Sequence, residues 1–240
     1  MIIQYYADSL GLPRPGVVNL RQRYIHVFEQ WLKENLKEDI FIFDRARTAS
    51  TIEKLYEVFN EDEGYIEGEK DILIIHEGVC DCAPRPISAS LRKFISGLPG
   101  FLKKRVIHYL HKNRAKLLKR GSVHYLVSRE DYEKILIQWL EKAIKNFKRI
   151  YIFTIAPTNE GIEAHSPGFG ASIVAYNNVI KKVVEAINDK RVQVVDVYEI
   201  IRQSASIDDF IIKEDGHHIT SVAHTMYANQ LIELEKQRLQ

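Results

Sequence analysis

The sequence predicts an α/β fold in which a parallel sheet is covered by helices on both faces. The first observation is an alternation of short apolar runs with longer segments in which apolar residues recur every three or four positions. The second is that the short runs are almost entirely apolar, as expected for strands buried on both faces of a parallel sheet. The third is size: 240 residues, 45% of them hydrophobic and 28% charged, suffice for one large domain with a substantial core.

The first half of the chain supplies three of the predicted strands and two of the predicted helices. The strands are the apolar runs 2–6, 40–43 and 72–75. Helix 17–36 follows from apolar side chains at helical spacing, such as Tyr24, Phe28 and Trp31. A second helix is predicted over 51–59, between the second and third strands.

The second half repeats the alternation. Helix 131–147 places Ile135, Trp139 and Ile144 on one face and is followed by strand 150–153. The last elements are helix 171–187, strand 192–195 and helix 221–239. The regular exchange of strand and helix is typical of crossover connections between parallel strands.

Polar or small residues follow three of the predicted strands. Ser9 comes just after the first strand, residues 78–81 follow the third, and residues 154–158 follow the fourth. Ligands of open α/β sheets bind beyond the carboxyl ends of the strands. We therefore expect these three segments to line one edge of the sheet.

Composition and termini exclude several classes of protein. The formal net charge is +2, too small to indicate a nucleic-acid-binding protein by itself, and no apolar run approaches the length of a membrane span. The N-terminus lacks the basic region and long apolar stretch of a signal peptide, which favours a cytoplasmic protein. Cys80 and Cys82 are too close in sequence for a good disulfide and have no second pair for zinc, so we expect reduced thiols and no metal or other cofactor.

Residues 86–128 form a basic segment longer than a simple crossover needs, and we expect a helical insertion in one domain spanning 1–240. No acidic residue occurs from 96 to 128. The cationic residues of its middle are Lys103, Lys104, Arg105, Lys112, Arg114, Lys116, Lys119 and Arg120, with His108 and His111. The favoured interpretation is a solvated insertion whose apolar side packs on the domain. The next is a lid or docking surface for an anionic ligand, such as an acidic glycan, a phosphate-bearing carrier or a lipid headgroup. Nucleic acid is the least favoured partner.

Two short motifs at opposite ends of the chain supply the groups of a catalytic triad. Ala7-Asp8-Ser9-Leu10 follows the first strand, and Asp215-Gly216-His217-His218 precedes the last helix. In such a triad a serine attacks an acyl carbon, a histidine accepts the serine's proton, and an aspartate orients and stabilises the imidazole. Ser9, His218 and Asp215 are the candidates for these roles.

Other interpretations of the same residues stay open at this stage. Ser9 and Asp215 stand in turn-forming sequence, and His217 is a rival base two residues from Asp215. Cys80 is an alternative nucleophile with His218 as its base. A metal bound by Asp215, His217 and His218 is disfavoured, because adjacent histidines seldom converge on one ion without further ligands. His165, in the loop after the fourth strand, is placed to form one wall of a pocket.

The chain resembles the SGNH, or GDSL-type, hydrolases, whose pattern has four blocks. Ala7-Asp8-Ser9-Leu10 matches three of four positions of the first block, and Asp215-Gly216-His217-His218 matches the last completely. Gly78-Val79-Cys80-Asp81 stands at the third block with cysteine in place of asparagine, and the second block, within 44–50, lacks its glycine. The resemblance implies a flavodoxin-like three-layer α/β/α sandwich with a five-stranded parallel sheet, and hydrolysis or transfer of an ester-linked acyl group.

Both departures fall on the oxyanion hole, which this family builds from the serine N–H, the second-block glycine N–H and the third-block asparagine. We expect the second donor near Thr48 or Ala49. Losing an oxyanion donor costs roughly 100- to 1000-fold in turnover, and a thiol is a weak donor. Arg85, Arg47 or the Cys80 backbone are the candidate replacements, and the pocket is expected to include Gly78, Cys80, Asp81 and Arg85.

The sequence therefore predicts a serine esterase for a small O-acyl group, such as acetyl, on a small molecule or a carbohydrate. One alternative is an O-acyltransferase that passes the acyl group from Ser9 to a sugar hydroxyl, as in tailoring of surface polysaccharides. Another is a catalytically weak relative that binds a glycan or a partner through the basic insertion.

Overall fold

A computed structural model describes residues 1–66, 68–121 and 123–239, and within them it shows an α/β fold on a five-stranded, all-parallel sheet. The strands are β1 (Ile2–Ala7), β2 (Phe41–Asp44), β3 (Lys70–His76), β4 (Phe147–Phe153) and β5 (Val192–Val195). Their order across the sheet is β2-β1-β3-β4-β5, and each neighbouring pair is parallel. This is the flavodoxin-like order, and it confirms the predicted fold class.

Helices connect the strands and lie on both faces of the sheet. In chain order they are α1 (Tyr24–Leu36), α2 (Ile52–Glu63), α3 (Val79–Cys82), α4 (Ala89–Ser96), α5 (Gly100–Lys112), α6 (Arg114–Arg120), α7 (Arg129–Asn146), α8 (Glu160–His165), α9 (Phe169–Ile187), α10 (Val197–Arg202) and α11 (Ser221–Leu239). Helix α1 packs against α11, and α7 packs against both α2 and α9.

Two adjacent tyrosines of β1 show how the layers are assembled. Tyr5 meets Tyr24 of α1 edge to face, with ring centroids 5.5 Å apart. Tyr6 meets Trp139 of α7 at 5.6 Å on the other face, because successive side chains of a strand point in opposite directions. All four rings are fully buried. Each helical layer is therefore held to the sheet by apolar and aromatic packing.

The first helix begins later than its periodicity predicts. Helix α1 starts at Tyr24 rather than at residue 17, because the preceding residues make other contacts. Asn19 and Gln22 form a capping box around a single 3-10 turn. Arg23 is almost fully buried, where it donates a hydrogen bond to the Gly11 carbonyl and pairs with Asp44 at 2.5 Å. These polar contacts hold the chain extended before the helix.

Several other elements extend into charged sequence that periodicity alone excludes. Strand β3 begins at Lys70, two residues before its apolar run, and α2 continues to Glu63. Lys70 and Glu63 form a buried ion pair at 2.9 Å. A charge that is paired in this way can enter the interior, whereas hydropathy assigns it to the surface.

The basic segment folds into α4, α5 and α6. Ile95 of α4 and Leu118 of α6 are buried, but none of the residues of α5, all of them described, is buried. Phe101 is 67% exposed and Ile107 49% exposed. The expectation that the apolar side of this segment packs on the domain is therefore wrong for α5. In the described part of the chain, no helix has the length and apolarity needed to cross a membrane.

Candidate active site

The loop after β1 presents Ser9 and is held by the side chain of Asp8. One Asp8 carboxylate oxygen accepts the Leu10 N–H at 2.8 Å and caps a short 3-10 turn that begins at Ser9. The other accepts the Val79 N–H at 3.2 Å, so the same carboxylate ties the loop after β1 to the loop after β3. Asp8 is fully buried, and burial raises its pKa to about 7.

The turn before α11 presents His218. One Asp215 oxygen accepts the backbone N–H groups of His217 and His218, at 3.1 and 2.9 Å. Gly216 has a φ of +75°, and a Cβ there would lie 2.5 Å from the Asn159 side-chain oxygen. Only glycine fits this turn, since both the backbone conformation and the neighbouring side chain exclude a larger residue.

Three side chains from the two ends of the chain form a continuous hydrogen-bonded relay. Ser9 Oγ lies 3.0 Å from His218 Nε2, although the residues are 209 positions apart. His218 Nδ1 lies 2.9 Å from Asp215 Oδ2. Both Ser9 and His218 are buried, and Ser9 lines a pocket. This is the arrangement in which a histidine can accept the serine's proton while a carboxylate orients the ring.

The environment keeps the imidazole of His218 neutral near pH 7. Burial, followed by the neighbouring His217, lowers the pKa of His218 to about 4, against an opposing effect of Asp215. Burial alone would raise the pKa of Asp215, but the backbone N–H groups of His218 and His217 hold it below its usual value. Asp215 is therefore an anion and His218 a free base.

The alternatives for these residues are less well placed. His217 Nδ1 lies 3.0 Å from the Asp215 carbonyl oxygen, so this ring is turned to the backbone. Ligand atoms of Asp215, His217 and His218 lie within 4.8 Å of one another, as a metal site requires. Both ring nitrogens of His218, however, already face Ser9 and Asp215. A metal would have to break this relay.

Ser9 opens onto a pocket of about 270 Å³. The pocket is lined by Ser9, Val79, Cys80, Ala83, Arg85, His111, Arg114, Ile162, His165, Ser166, Phe169 and His217. Its walls thus come from the loops after β1, β3 and β4, together with the insertion and the turn before α11. Ser9 and the segment 78–81 contribute to this lining as expected, whereas the segment 154–158 does not; after β4 the lining residues begin at Ile162.

The residues predicted around the third block divide into two groups. Cys80 and Arg85 line the pocket, whereas Asp81 lies behind it and accepts the Ile52 N–H at 3.2 Å. Gly78 has a φ of +121°, and a Cβ there would lie 2.6 Å from a methyl of Ile155. Gly78 and Asp81 therefore shape the loop and do not line the pocket.

The second block places its backbone near Ser9 but not its side chains. Arg47 donates its N–H to the Ala7 carbonyl at 2.9 Å, two residues before the nucleophile. Thr48 and Ala49 are exposed, and Ala49 has a left-handed φ of +52°. Among the described residues, neither Thr48 nor Ala49 belongs to the lining of the Ser9 pocket.

Cys80 has an unreactive thiol and a free backbone N–H. Burial, reinforced by the carboxylates of Asp8 and Asp81, raises the pKa of the Cys80 thiol to about 12. A thiol that stays protonated is a poor nucleophile. The backbone N–H groups of Ser9 and Cys80 donate to no backbone acceptor in the described part of the chain.

Buried acids underlie the pocket. Besides Asp8, Glu77 and Asp81 are almost fully enclosed, and Tyr132 donates its hydroxyl to Glu77 at 2.6 Å. Burial raises the pKa of Glu77 well above its usual value, and the nearby Asp81 adds to the effect. The pKa of Asp81 is likewise raised by burial, to about 6. The protonation of these buried carboxyl groups is therefore expected to change with pH.

Sequence patterns missed part of the pocket wall. His111 and Arg114 were expected only as members of a basic run, and Ser166 and Phe169 carried no functional signal. Arg114 donates hydrogen bonds to the Pro84 carbonyl and to the Ser166 hydroxyl, which joins the insertion to the loop after β4. The His111 and His165 rings lie 4.9 Å apart across the pocket. The uninterrupted basic composition of the insertion was the available signal.

Solved structures of similar fold come from ester-cleaving enzymes. One is a lipase/acylhydrolase from Enterococcus faecalis, with a TM-score of 0.64 at 12% identity over 99% of this chain and 96% of that chain. Another is the acetylxylan esterase Axe2 from Geobacillus stearothermophilus, with a TM-score of 0.61 at 13% identity over 97% of this chain and 92% of that one. A third is a member of the lipolytic protein G-D-S-L family from Veillonella parvula, with a TM-score of 0.61 at 11% identity over 97% of this chain and 96% of that chain.

No protein-family model and no curated protein matches this sequence. Because the three solved structures share so little sequence identity with this chain, their similarity to it establishes its fold. The fold predicted from the motifs at both ends of the chain is confirmed, and it is the fold of GDSL-type hydrolases.

Proposed function

We infer that this chain is a GDSL-type hydrolase, and we propose that it cleaves esters of small acyl groups with Ser9 as nucleophile. The observation that carries the proposal is the relay from Ser9 Oγ to His218 Nε2 at 3.0 Å and from His218 Nδ1 to Asp215 at 2.9 Å. The fold shared with an acylhydrolase and an acetylxylan esterase supports it.

The first half of the reaction transfers the acyl group to the enzyme. As Ser9 Oγ attacks the ester carbonyl carbon, neutral His218 accepts the hydroxyl proton at Nε2, and Asp215 stabilises the imidazolium. When the tetrahedral intermediate collapses, the carbon–oxygen bond to the alcohol breaks and Nε2 returns the proton to that oxygen. The products of this half are the free alcohol and an acyl-Ser9 ester.

The second half releases the acyl group. His218 takes a proton from water, whose oxygen attacks the acyl carbon, and the bond to Ser9 Oγ breaks as Nε2 protonates it. The carboxylic acid leaves and Ser9 is restored. Each proton that His218 accepts is returned within the same half, so no external acid or base is required.

The oxyanion hole consists, in this proposal, of the backbone N–H groups of Ser9 and Cys80. Neither donates to a backbone acceptor among the described residues, and both residues line the same pocket. Asp8 holds the two loops together through its bonds to the Leu10 and Val79 N–H groups. Preorganised donors of this kind stabilise the developing negative charge. The Cys80 backbone thus takes over from the absent asparagine, and a donor at Thr48 or Ala49 is not needed.

The favoured substrate is an O-acetyl ester, on a small molecule or a carbohydrate. A pocket of about 270 Å³ suits a short acyl group, and one solved structure of the same fold is named for acetylxylan. An O-acyltransferase would form the same acyl-Ser9 and differ only in using a sugar hydroxyl instead of water. A binding protein of weak activity would form no acyl-Ser9, so labelling of the serine separates it from both enzymes.

The test compares hydrolysis of p-nitrophenyl acetate by the wild type and by Ser9→Ala. Ser90→Ala is the matched control, because this serine is exposed on α4 and lines neither the Ser9 pocket nor the second cavity beside Arg85 and Arg114. We expect Ser9→Ala to lose nearly all turnover and Ser90→Ala to keep it. A fluorophosphonate is expected to label the wild type once, at Ser9, as read by mass spectrometry.

The histidines provide a second pair of matched variants. His218→Ala is expected to lose the activity that His217→Ala largely keeps, since only the His218 ring faces Ser9. Full activity in Ser9→Ala would overturn the proposal. Labelling of Ser9 without hydrolysis, followed by acyl transfer to an added sugar, would replace the esterase by the transferase.

A further inference from the structure

A second cavity adjoins the catalytic pocket. It has a volume of about 330 Å³ and lies between α4, α5 and the segment that enters the insertion. Ile87, Ile95, Ile107 and Leu110 give it apolar walls. Because α5 has no buried residue, the apolar side of that helix borders this cavity instead of the domain core.

The two cavities meet at three basic side chains. Arg85, His111 and Arg114 line both the Ser9 pocket and the apolar cavity. A ligand that reaches from Ser9 into the apolar cavity must therefore pass these three groups. Arg92 and Lys103 add further positive charge on the far side.

These cations lack a carboxylate partner in the part of the chain that the structure describes. Within the described residues, none of Arg85, Arg92, Lys103 and Arg114 forms an ion pair with a carboxylate. The sequence explains why, because no acidic residue occurs between Asp81 and Glu130. By contrast, the almost fully buried Arg23 of this protein has a carboxylate partner, Asp44.

Among the cations of the two cavities, Arg85 has a buried donor without a partner. Its Nε is buried and has no hydrogen-bond partner among the described residues. Burial, with the neighbouring Arg92, lowers the pKa of Arg85. The side chain as a whole is half-buried, and a buried donor without a partner is costly. Arg114, which lines the same two cavities, is held in position by the Pro84 carbonyl and the Ser166 hydroxyl.

We propose that the substrate is an ester that carries both an anionic group and an apolar arm. The anionic group, a phosphate or a carboxylate, binds between Arg85 and Arg114, and the arm lies in the cavity between α4 and α5. The assignment of the ester to this ligand rests on the proposed function. The anion site and the apolar cavity themselves do not depend on the chemistry at Ser9.

The binding test uses hexyl phosphate, which joins an anion to an apolar arm and has no acyl ester to cleave. Calorimetric titration compares the wild type with Arg85→Met, which keeps an apolar stem but removes the charge. Arg105→Met is the matched control, since Arg105 is an exposed cation of α5 that lines neither cavity. We expect Arg85→Met to weaken binding about tenfold or more, the scale of a charge-assisted hydrogen bond, and Arg105→Met to change it less than twofold.

Further ligands separate the two parts of the site. Inorganic phosphate and hexanol are each expected to bind more weakly than hexyl phosphate, because each fills one part only. Ile107→Ser, at a half-exposed position of the cavity wall, is expected to weaken hexyl phosphate but not inorganic phosphate. Hexanoate in place of hexyl phosphate shows whether the anion site prefers phosphate or carboxylate. Equal binding of hexyl phosphate to the wild type and Arg85→Met would overturn the proposal.

The kinetic test compares two acetyl esters of equal size. 4-Acetoxybenzoate carries a carboxylate on its alcohol portion where 4-methylphenyl acetate carries a methyl group. We expect Arg85→Met to lower the ratio of their kcat/KM values, acetoxybenzoate over methylphenyl acetate, about tenfold. An equal loss on both esters would overturn the anion site and assign Arg85 to the oxyanion hole instead.

The two proposals fail in different ways. If neither ester is cleaved but hexyl phosphate binds in an Arg85-dependent manner, the anion site stands and the esterase proposal fails. If cleavage depends on Ser9 while hexyl phosphate binding is indifferent to Arg85, the esterase stands and the anion site fails.

Discussion

Replacing Asp215 by asparagine tests whether the carboxylate controls the tautomer of His218. In the wild type, one Asp215 oxygen accepts two backbone N–H groups and the other faces His218 Nδ1. Asparagine can keep its single oxygen on the backbone N–H groups only if its NH2 group faces Nδ1. Nδ1 must then act as an acceptor, so the ring proton moves to Nε2.

The expected cost follows from that displaced proton. With a proton on Nε2, the atom 3.0 Å from Ser9 Oγ can no longer accept the serine's proton. The same substitution in a Ser-His-Asp protease lowers kcat roughly 10⁴-fold. At about 1.36 kcal/mol for each factor of ten, this is about 5 kcal/mol of transition-state stabilisation. Stability should change little, because the backbone hydrogen bonds of the turn survive.

The assay is steady-state hydrolysis of p-nitrophenyl acetate, with Tm measured on the same preparations. Asp209→Asn is the matched control, because Asp209 is exposed on the same C-terminal segment. An Asp215→Asn enzyme within tenfold of the wild type, at an unchanged Tm, would refute the tautomer argument. A large fall in Tm would instead place the main role of Asp215 in folding of the turn.

The remaining predictions concern pH, backbone strain, buried acids and metal. Because burial and His217 lower the pKa of His218 to about 4, its active neutral form persists in mild acid, and kcat/KM should fall by half near pH 4. A partial step between pH 6 and 7 would belong to the buried carboxyls of Asp8 and Asp81, whereas complete loss of activity below an inflection near 6.5 would contradict the prediction. Gly216→Ala combines a strained φ with a Cβ 2.5 Å from a neighbouring atom, whereas Gly168→Ala has a φ of +86° and open space. Both variants should lose about 1–3 kcal/mol of unfolding free energy from backbone strain. Only Gly216→Ala should lose additional stability, from the steric clash, and lose activity. Burial raises the pKa of Glu77, so the folded state holds a proton that the unfolded chain releases above pH 4.5. The stability of the wild type therefore falls as pH rises. Glu77→Gln lacks this proton, so its Tm should exceed that of the wild type by a margin that grows between pH 5 and 8.5, and a constant difference would contradict the prediction. Dialysis against a chelator should leave hydrolysis unchanged, because both ring nitrogens of His218 belong to the relay. If activity is lost and a metal restores it, the relay is not the catalytic arrangement.

Features carried by local sequence could be predicted. The apolar runs alone indicated every strand of the sheet in the described chain, because parallel strands buried on both faces must be apolar throughout. The motifs around Ser9 and His218 pointed to two residues that lie 3.0 Å apart in the structure. Such motifs are readable because their chemistry depends on residue type and short spacing.

Features that depend on partners distant in sequence could not be predicted. The late start of α1 at Tyr24 depends on the contacts of Arg23 with Gly11 and Asp44. Charged Lys70 enters β3 because it meets Glu63. In both cases a polar contact across the fold overrides the local preference.

By itself, the sequence determined the α/β class and indicated the candidate reactive groups, since hydropathy and residue chemistry are local properties. Only the tertiary structure decided which parts of the insertion line the Ser9 pocket. His111 and Arg114 line it because the insertion folds back over the carboxyl edge of the sheet, and α5 leaves its apolar side facing a cavity. The physical reason is that burial and pairing are set by which distant segments pack together, and no short stretch of the chain contains both members of such a contact.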